Sequence, residues 1–91
     1  MQLVEKNNCW YVISDIGRRY DLCKLTDFCG GSYDIIVIMD FNYQRQVDYF
    51  YEAGRFDEND KDSLMYIKSK ITTYEKHHGY LPQKYNVLKE F

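Results

Sequence analysis

Proline and glycine are scarce in this 91-residue chain, which has one proline and five glycines. These residues dominate turns and linkers, so their scarcity leaves little room for a hinge between independent units. The chain also lacks internal repeats and low-complexity tracts. A chain of this length forms one small core, and we expect residues 1–91 to fold as a single domain.

Cysteine is limited to Cys9, Cys23 and Cys29, and an odd number cannot all pair. The first thirteen residues contain Glu5 and Lys6 where a signal peptide needs an apolar core. No run approaches the roughly 20 apolar residues that a membrane-spanning helix requires. These absences predict a soluble protein of a reducing cytoplasm, without a membrane partner, whose cysteines are free, buried thiols.

Motifs of common catalytic sites are also missing: the sequence has no GxSxG, no phosphate-binding glycine loop and no HExxH. The C-x5-C spacing of Cys23 and Cys29 fits no common zinc pattern, and the adjacent His77 and His78 would point about 100° apart on a helix. A nucleophile at Cys29 has no base nearby in sequence. We therefore expect no enzyme, no catalytic residue, no metal site and no cofactor.

Aromatic residues are abundant by contrast, at 18%, and ten of them are tyrosines. Charge is uneven along the chain. Residues 40–62 carry seven acids and three bases, net −4, whereas residues 63–91 carry two acids and five bases, net +3. The total of −2 argues against nucleic acid as the main partner, because phosphate binding relies on positive charge.

Alternating patterns and turn residues predict strands in the first half. LVEK and CWYVIS flank the pair Asn7-Asn8 as a tight hairpin, and a turn over residues 15–18 precedes the strand RYDLCKL. YDIIVIMDF has apolar residues on both faces, which is typical of an interior strand. QVDYFYE alternates, which predicts that Val47, Tyr49 and Tyr51 point inward and that Asp48, Phe50 and Glu52 point outward.

A helix is predicted after the acidic segment. Leu64, Ile67, Ile71, Tyr74 and His78 recur at spacings of three and four, as on one side of an amphipathic helix. Acids lie near its start, and Gly79 is placed to end it. The order of elements predicts an α+β fold, with an antiparallel meander of four to five strands and one C-terminal helix packed on one face.

The acids of the middle segment are the candidate partner-binding site. Its residues are Asp48, Phe50, Glu52, Phe56, Asp57, Glu58, Asp60 and Asp62. DNA carries about one charge per 1.7 Å of duplex axis, and acids on a strand and a helix start can imitate part of that pattern. Phe50 and Phe56 would add apolar contact. The alternative is a strand's solvent face followed by helix-capping carboxylates, which requires no partner.

The segments LVEKNNCWYVISD, YDIIVIMDFN and VDYFYEAG, followed by one lysine-rich helix, resemble the small accessory proteins of bacteriophages and mobile elements. Anti-CRISPR inhibitors belong to that group. The resemblance implies action without catalysis in the cytoplasm of a bacterial host. It also implies binding to a host nuclease or polymerase subunit, in several cases through an acidic face that blocks nucleic-acid entry.

Together these patterns predict a non-enzymatic inhibitor that blocks a nucleic-acid-handling host enzyme, such as a CRISPR effector nuclease, through an acidic, aromatic-flanked surface. The alternative is a small nucleic-acid-binding or regulatory protein that uses a tyrosine-rich sheet and the basic C-terminal segment. A homodimer that pairs through an exposed sheet edge is a further alternative.

Overall fold

Five strands and one helix make up the described part of the protein. The computed structural model describes residues 1–7, 9–26, 33–53 and 59–80. The strands are β1 (Gln2–Lys6), β2 (Cys9–Ile13), β3 (Arg19–Thr26), β4 (Tyr33–Asp40) and β5 (Arg45–Ala53), and the helix is α1 (Lys61–His78). The strands form one antiparallel sheet in the order β1-β2-β3-β4-β5. The predicted α+β meander with a single helix after the strands is confirmed.

Residues with positive φ close the hairpins. Asn7, between β1 and β2, has φ 53°, and Gly17, between β2 and β3, has φ 85°. Asparagine and glycine adopt this conformation at low energetic cost. The second turn closes when the backbone N–H of Ser14 donates to the carbonyl of Arg18 at 2.8 Å. Both turns were predicted from the sequence, although Asn8 lies outside the described residues.

The strand register divides the sheet into two faces, because directly opposed residues of an antiparallel pair point to the same side. On one side, Tyr20 pairs with Val12 and with Asp40. This side packs against α1, and we call it the helix face. The opposite side is the open face, which we define by Gln2, Val4, Lys6, Cys9, Tyr11, Ile13, Arg19, Asp21, Cys23, Leu25, Ile35, Val37, Met39, Gln46, Tyr49 and Tyr51. Three of its members, Gln2, Ile13 and Val37, are buried.

The core lies between the helix face and α1. Its buried members are Met1, Val12, Tyr20, Ile36, Ile38, Ile67 and Ile71. Burial of one large apolar side chain stabilises the fold by about 1.5–3 kcal/mol. Ile67 and Ile71 belong to the predicted apolar side of the helix, and both are completely buried. The helical spacing in the sequence thus identified the packed side of α1 correctly.

Both ends of α1 are capped. The Asp60 side chain accepts a hydrogen bond from the Ser63 backbone N–H at 3.1 Å, which satisfies one of the free amides of the first turn. At the other end Gly79 adopts a left-handed conformation with φ 64°. The N–H of Gly79 donates to Lys76 O at 3.3 Å, and the N–H of Tyr80 donates to Glu75 O at 3.2 Å. This pair of bonds is a Schellman motif.

The predicted orientation of β5 is wrong. Phe50 pairs with Ile36 and Asp48 pairs with Ile38, so both lie on the helix face, while Tyr49 and Tyr51 are 46% and 60% exposed on the open face. The physical reason is that the helix covers the face carrying Ile36 and Ile38, where Phe50 adds to the core. A β-bulge between Ile38 and Met39 leaves Val47 as the extra residue, and alternation alone does not reveal it.

Candidate interaction surfaces

Four described acids lie along β5 and at the start of α1, and we call Asp48, Glu52, Asp60 and Asp62 the acidic edge. Asp48 Oδ2 lies 3.4 Å from Lys70 Nζ on α1, in a partly exposed ion pair. Such a surface pair contributes about 1 kcal/mol or less to stability. Its larger effect concerns surface charge, because it neutralises one of the four acids within the chain.

Glu52 and Asp60 meet at the hydroxyl of Ser63. Ser63 Oγ donates to Asp60 Oδ2 at 2.8 Å and also contacts Glu52 Oε1. A hydroxyl has one hydrogen, so two carboxylates compete for it and are held close together. The Ser63 backbone N–H, followed by its side chain, lowers the pKa of Asp60 below its ordinary value. Asp60 therefore remains ionised at neutral pH.

The acidic edge keeps a net negative charge within the described chain. Lys70 pairs with Asp48, and the exposed Lys61 lies between Asp60 and Asp62 in sequence. Four acids against two lysines leave a net charge of −2. The four carboxylates of the acidic edge are thus only partly neutralised by neighbouring lysines.

The other predicted site residues have different positions. Phe50 packs against the core from the helix face, with its ring 5.5 Å from that of Tyr66, and is therefore not an exposed anchor. Phe56, Asp57 and Glu58 lie outside the described residues. The structure brings Glu52, Asp60 and Asp62 together at the start of the helix. Asp48 lies apart from them, nearer the beginning of β5 and beside Lys70.

Asp40, which belongs to the same acidic segment of the sequence, is part of the interior. Its side chain is completely buried, and its two carboxylate oxygens lie 3.2 and 3.1 Å from Arg18 Nη2. Tyr74 donates its hydroxyl to Asp40 Oδ2 at 2.6 Å, and the Asn42 N–H donates to Oδ1 at 3.0 Å. Asp40 therefore contributes nothing to an outer acidic patch.

The buried network continues to the end of the helix. Arg18 Nε donates to the Tyr20 hydroxyl at 3.4 Å, and that hydroxyl donates to Glu75 Oε2 at 3.0 Å. Burial raises the pKa values of Tyr20, Tyr74 and Glu75. Within the described residues every buried polar side-chain atom has a hydrogen-bond partner. The network thus joins the sheet to the end of α1 and presents no unpaired group to a substrate.

Aromatic rings cover this network from outside. The guanidinium of Arg18 lies 3.7 Å from the centre of the Tyr80 ring, which stacks on His78 and on Tyr43 at ring distances of 5.3 and 5.8 Å. The Schellman motif positions Tyr80 for this contact, because it turns the chain back directly after the helix. Cation–π attraction adds to the hydrogen bonds that hold Arg18.

The open face carries several exposed apolar side chains, although Val37 near its middle is buried. Leu25 is 52% exposed, and Tyr49 and Tyr51 also remain accessible. In the register, Leu25, Ile35 and Tyr51 form one row across three strands, and Cys23, Val37 and Tyr49 form the next. The face carries three charged residues, Lys6, Arg19 and Asp21. An apolar, aromatic surface with few charges is typical of the centre of a protein–protein interface.

Arg19 is held flat at one end of the open face. Its guanidinium lies 4.2 Å from the centre of the Tyr11 ring and 4.3 Å from that of Phe41. Its Nε also donates to Asp21 Oδ1 at 2.8 Å. The cation is thus paired and stacked within the chain, which favours a rigid contact surface over a mobile positive charge.

The outer backbone of β5 at Tyr49 is occupied by side chains. The Tyr49 N–H donates to Asp48 Oδ1 at 2.7 Å, and the Tyr66 hydroxyl donates to the Tyr49 carbonyl at 3.2 Å. Both backbone groups of Tyr49 therefore already have partners. Edge-to-edge pairing of another strand with β5 at this position would have to displace both bonds.

The cysteines differ from the prediction. Cys9 and Cys23 are free, as expected, but both are exposed, because they lie on the open face instead of the helix face. Cys29 lies outside the described residues. Among the described residues no three potential ligand side chains come close enough to hold a metal ion. No helix in this part of the chain is long and apolar enough to cross a membrane.

Comparison of the chain with protein-family models found no match, and comparisons with curated proteins and with solved structures also found none. The geometry described above is therefore the basis for any functional proposal.

Proposed function

We propose that the chain is a non-enzymatic binding protein that docks onto a partner protein through its open face and the adjoining acidic edge. The observation that carries the proposal is the open face, a tyrosine-rich apolar surface that α1 leaves uncovered in the described chain. The complementary partner surface is apolar and is bordered by basic residues. We assign this partner surface to a nucleic-acid-handling enzyme of the bacterial host, such as a CRISPR effector nuclease, which would be inhibited when its groove is occupied.

The size of the face supports the use of both surfaces. Five strands about 4.8 Å apart and roughly 20 Å long give a flat area of roughly 400 Å². A standard protein interface buries about 800 Å² on each partner. A partner of ordinary affinity would therefore extend past the open face. Around β5, where Tyr49 and Tyr51 alternate with Asp48 and Glu52, it would reach the acidic edge.

The positions of the described cations favour a protein partner over nucleic acid. Single strands are bound where aromatic rings and basic residues share one surface. The open face, which carries Tyr11, Tyr49 and Tyr51, has two cations, Lys6 and Arg19, and Arg19 is paired with Asp21. Three further lysines, Lys61, Lys68 and Lys76, are exposed on α1, across the sheet from it. Lys84 and Lys89 of the basic C-terminal segment lie outside the described residues.

Introduction of a charge on the open face tests the main contact. Tyr51→Lys adds a cation at an exposed position of this face, and Met65→Lys makes the matched change on α1, where Met65 is 69% exposed. Both variants are used to capture proteins from host lysate, and the affinity of the captured protein is then measured in purified form. We expect Tyr51→Lys to weaken binding by at least about tenfold, equivalent to about 1.4 kcal/mol, and Met65→Lys to leave it unchanged. Equal affinity of both variants would remove the open face from the proposal.

Neutralisation of the acidic edge tests whether electrostatic attraction contributes to binding of the partner. The triple change Glu52→Gln, Asp60→Asn, Asp62→Asn removes three charges while keeping oxygen acceptors for Ser63. Complementary charge acts mainly on the association rate and its salt dependence. We expect slower association and a shallower salt dependence, with little change in the dissociation rate. An unaltered salt dependence would exclude a basic groove, and tight binding of labelled single strands by the wild type would favour the nucleic-acid alternative.

A further inference from the structure

Two thiols face each other on the open face. In the pairing of β2 with β3, Trp10 is opposite Leu22 and Tyr11 is opposite Asp21. One further step in the same register places Cys9, the first residue of β2, opposite Cys23 within β3. Both side chains are exposed and free. The two cysteines are thus accessible cross-strand neighbours.

The hydrogen bond at the turn between β2 and β3 shows whether Cys9 and Cys23 are a hydrogen-bonded or a non-hydrogen-bonded pair of the ladder. Ser14 donates its N–H to the carbonyl of Arg18, so this pair is hydrogen-bonded. Hydrogen-bonded and non-hydrogen-bonded pairs alternate along an antiparallel ladder, which makes Cys9 and Cys23 a non-hydrogen-bonded pair. Its Cα atoms lie about 4.5 Å apart, at the short end of the range of about 4.4–6.8 Å that a disulfide spans.

We propose that Cys9 and Cys23 form a dithiol site that reacts with low-molecular-weight disulfides of the glutathione class and closes reversibly to a cross-strand disulfide. One protein thiolate attacks a sulfur of glutathione disulfide, whose S–S bond breaks and releases one glutathione thiolate. The second protein thiolate then attacks the protein sulfur of the mixed disulfide and releases the other glutathione. The protein loses two hydrogens and two electrons, and the glutathione disulfide gains them. This site does not depend on the proposed function.

The surroundings of the pair influence its reactivity. Partial desolvation of the thiol, followed by the negative Asp21 and by Cys9, raises the pKa of Cys23. The attacking species is the thiolate, so closure becomes faster as the pH rises. The pair is also exposed, and exposed disulfides are reduced more easily than buried structural ones. Both properties are typical of a reversible site.

Mass spectrometry of cysteine variants tests the proposal. The Cys29→Ser variant, which retains only the pair, is equilibrated with mixtures of oxidised and reduced glutathione, quenched with acid and alkylated. We expect a species lighter by two hydrogens that resists alkylation and reopens as reduced glutathione increases. Adding Cys9→Ser or Cys23→Ser abolishes this species and leaves only a glutathione adduct. Peptide mapping of the oxidised wild type locates the bond between Cys9 and Cys23.

A shifted pair provides the matched control. In the variant Cys23→Ser, Leu25→Cys, Cys29→Ser the second thiol lies two residues further along the same face of β3. This diagonal neighbour is about 7–8 Å from Cys9, too far for a disulfide without backbone movement. Thermal melts confirm that each variant is folded. If the original pair gives only independent glutathione adducts at every ratio, or if the shifted pair closes equally well, the proposal is overturned.

Discussion

Asp40 and Arg18 form a buried ion pair between the start of β3 and the end of β4. Both are almost fully buried, and each carboxylate oxygen of Asp40 has two described donors. Desolvation of such a pair is unfavourable, so the hydrogen bonds mainly avert a larger penalty. Removing one partner should therefore lower the free energy of unfolding more than removing both, and this difference can be measured.

Asp40→Ala leaves Arg18 buried without its counter-ion, and we expect it to lower the free energy of unfolding by about 3–5 kcal/mol. Replacing both partners, in Arg18→Met with Asp40→Leu, removes the unpaired charge and recovers part of that loss. Asp62→Ala, at an exposed acid of the same segment, serves as the control. Urea unfolding followed by circular dichroism measures all three. A double variant no more stable than Asp40→Ala would contradict this account.

Glu75 gives the fold a pH dependence. Burial raises its pKa in the folded state above the ordinary value of 4.5, so the fold favours the protonated form. The stabilisation from Glu75 is therefore complete below that value and is lost as the pH rises through the folded pKa. Glu75→Gln keeps an acceptor for Tyr20 but never ionises. We expect it to be more stable than the wild type by about 1 kcal/mol near pH 7 and equal to it near about pH 4. A difference in unfolding free energy that is the same at both pH values would refute this.

At the scale of the elements, α1 depends on its two caps, which act by different means. Asp60 accepts a hydrogen bond at the start, and Gly79 supplies a backbone conformation at the end. Neither Asp60 nor Gly79 belongs to the hydrophobic core. Substitutions at the caps therefore change stability without disturbing the core.

Asp60→Ala removes the cap, and we expect a loss of about 0.5–2 kcal/mol at neutral pH. Because hydrogen bonding lowers the pKa of Asp60, its contribution is present above pH 3.8 and is lost as the pH falls through the folded pKa. Asp60→Asn retains a capping oxygen and should remain close to wild-type stability. Thermal melts of Asp60→Ala and Asp60→Asn measure the stability of each variant relative to the wild type. Equal destabilisation by Ala and Asn would show that charge, and not capping, is the stabilising property.

Gly79→Ala places a Cβ in a left-handed residue. The added atom meets no neighbour within 4 Å, so the penalty is one of backbone conformation alone. We expect a loss of about 1–2 kcal/mol in unfolding free energy, and a smaller loss for Gly79→Asn, because asparagine tolerates this region. Chemical denaturation of both variants provides the measurement, and an Asn variant no better than Ala would argue against the conformational explanation.

The helix and the turns could be predicted from the sequence because each depends on residues that are close together in the chain. The spacing of Ile67 and Ile71 and the position of Gly79 identified α1, and Asn7 and Gly17 identified the turns. The orientation of β5 was not accessible, since alternation is symmetric between the two faces and the bulge at Val47 shifts it. The burial of Asp40 has a sequence signal in hindsight. It continues the alternation of Ile36 and Ile38, and an acid on that side requires a buried partner.

At the scale of the whole molecule, the two sides of the sheet differ in kind. One side holds the core and the buried polar network, and the other combines apolar side chains with a pair of thiols. The exposed large apolar side chains of the open face are Leu25, Tyr49 and Tyr51, and a cluster of exposed apolar side chains is often an interaction site. The candidate site was predicted on the acids, whereas the structure adds these side chains of the open face.

We expect the isolated protein to associate weakly with itself through this surface. Leu25→Lys with Tyr51→Lys introduces like charges in one row of the open face and should suppress the association. Met65→Lys on α1 is the control and should not change it. Sedimentation velocity over a concentration series measures the effect. Concentration-independent sedimentation of the wild type, or equal association of all variants, would contradict the expectation.

The bonds made by Tyr49 also limit how this protein can aggregate. Amyloid-like growth proceeds when an incoming strand pairs with a free backbone edge, and here Asp48 and Tyr66 occupy the donor and acceptor that β5 would offer at that point. Stacking of many copies into a fibril needs two receptive edges on each molecule. An incoming strand at the middle of β5 would first have to displace these two bonds, which raises the barrier to growth from this edge.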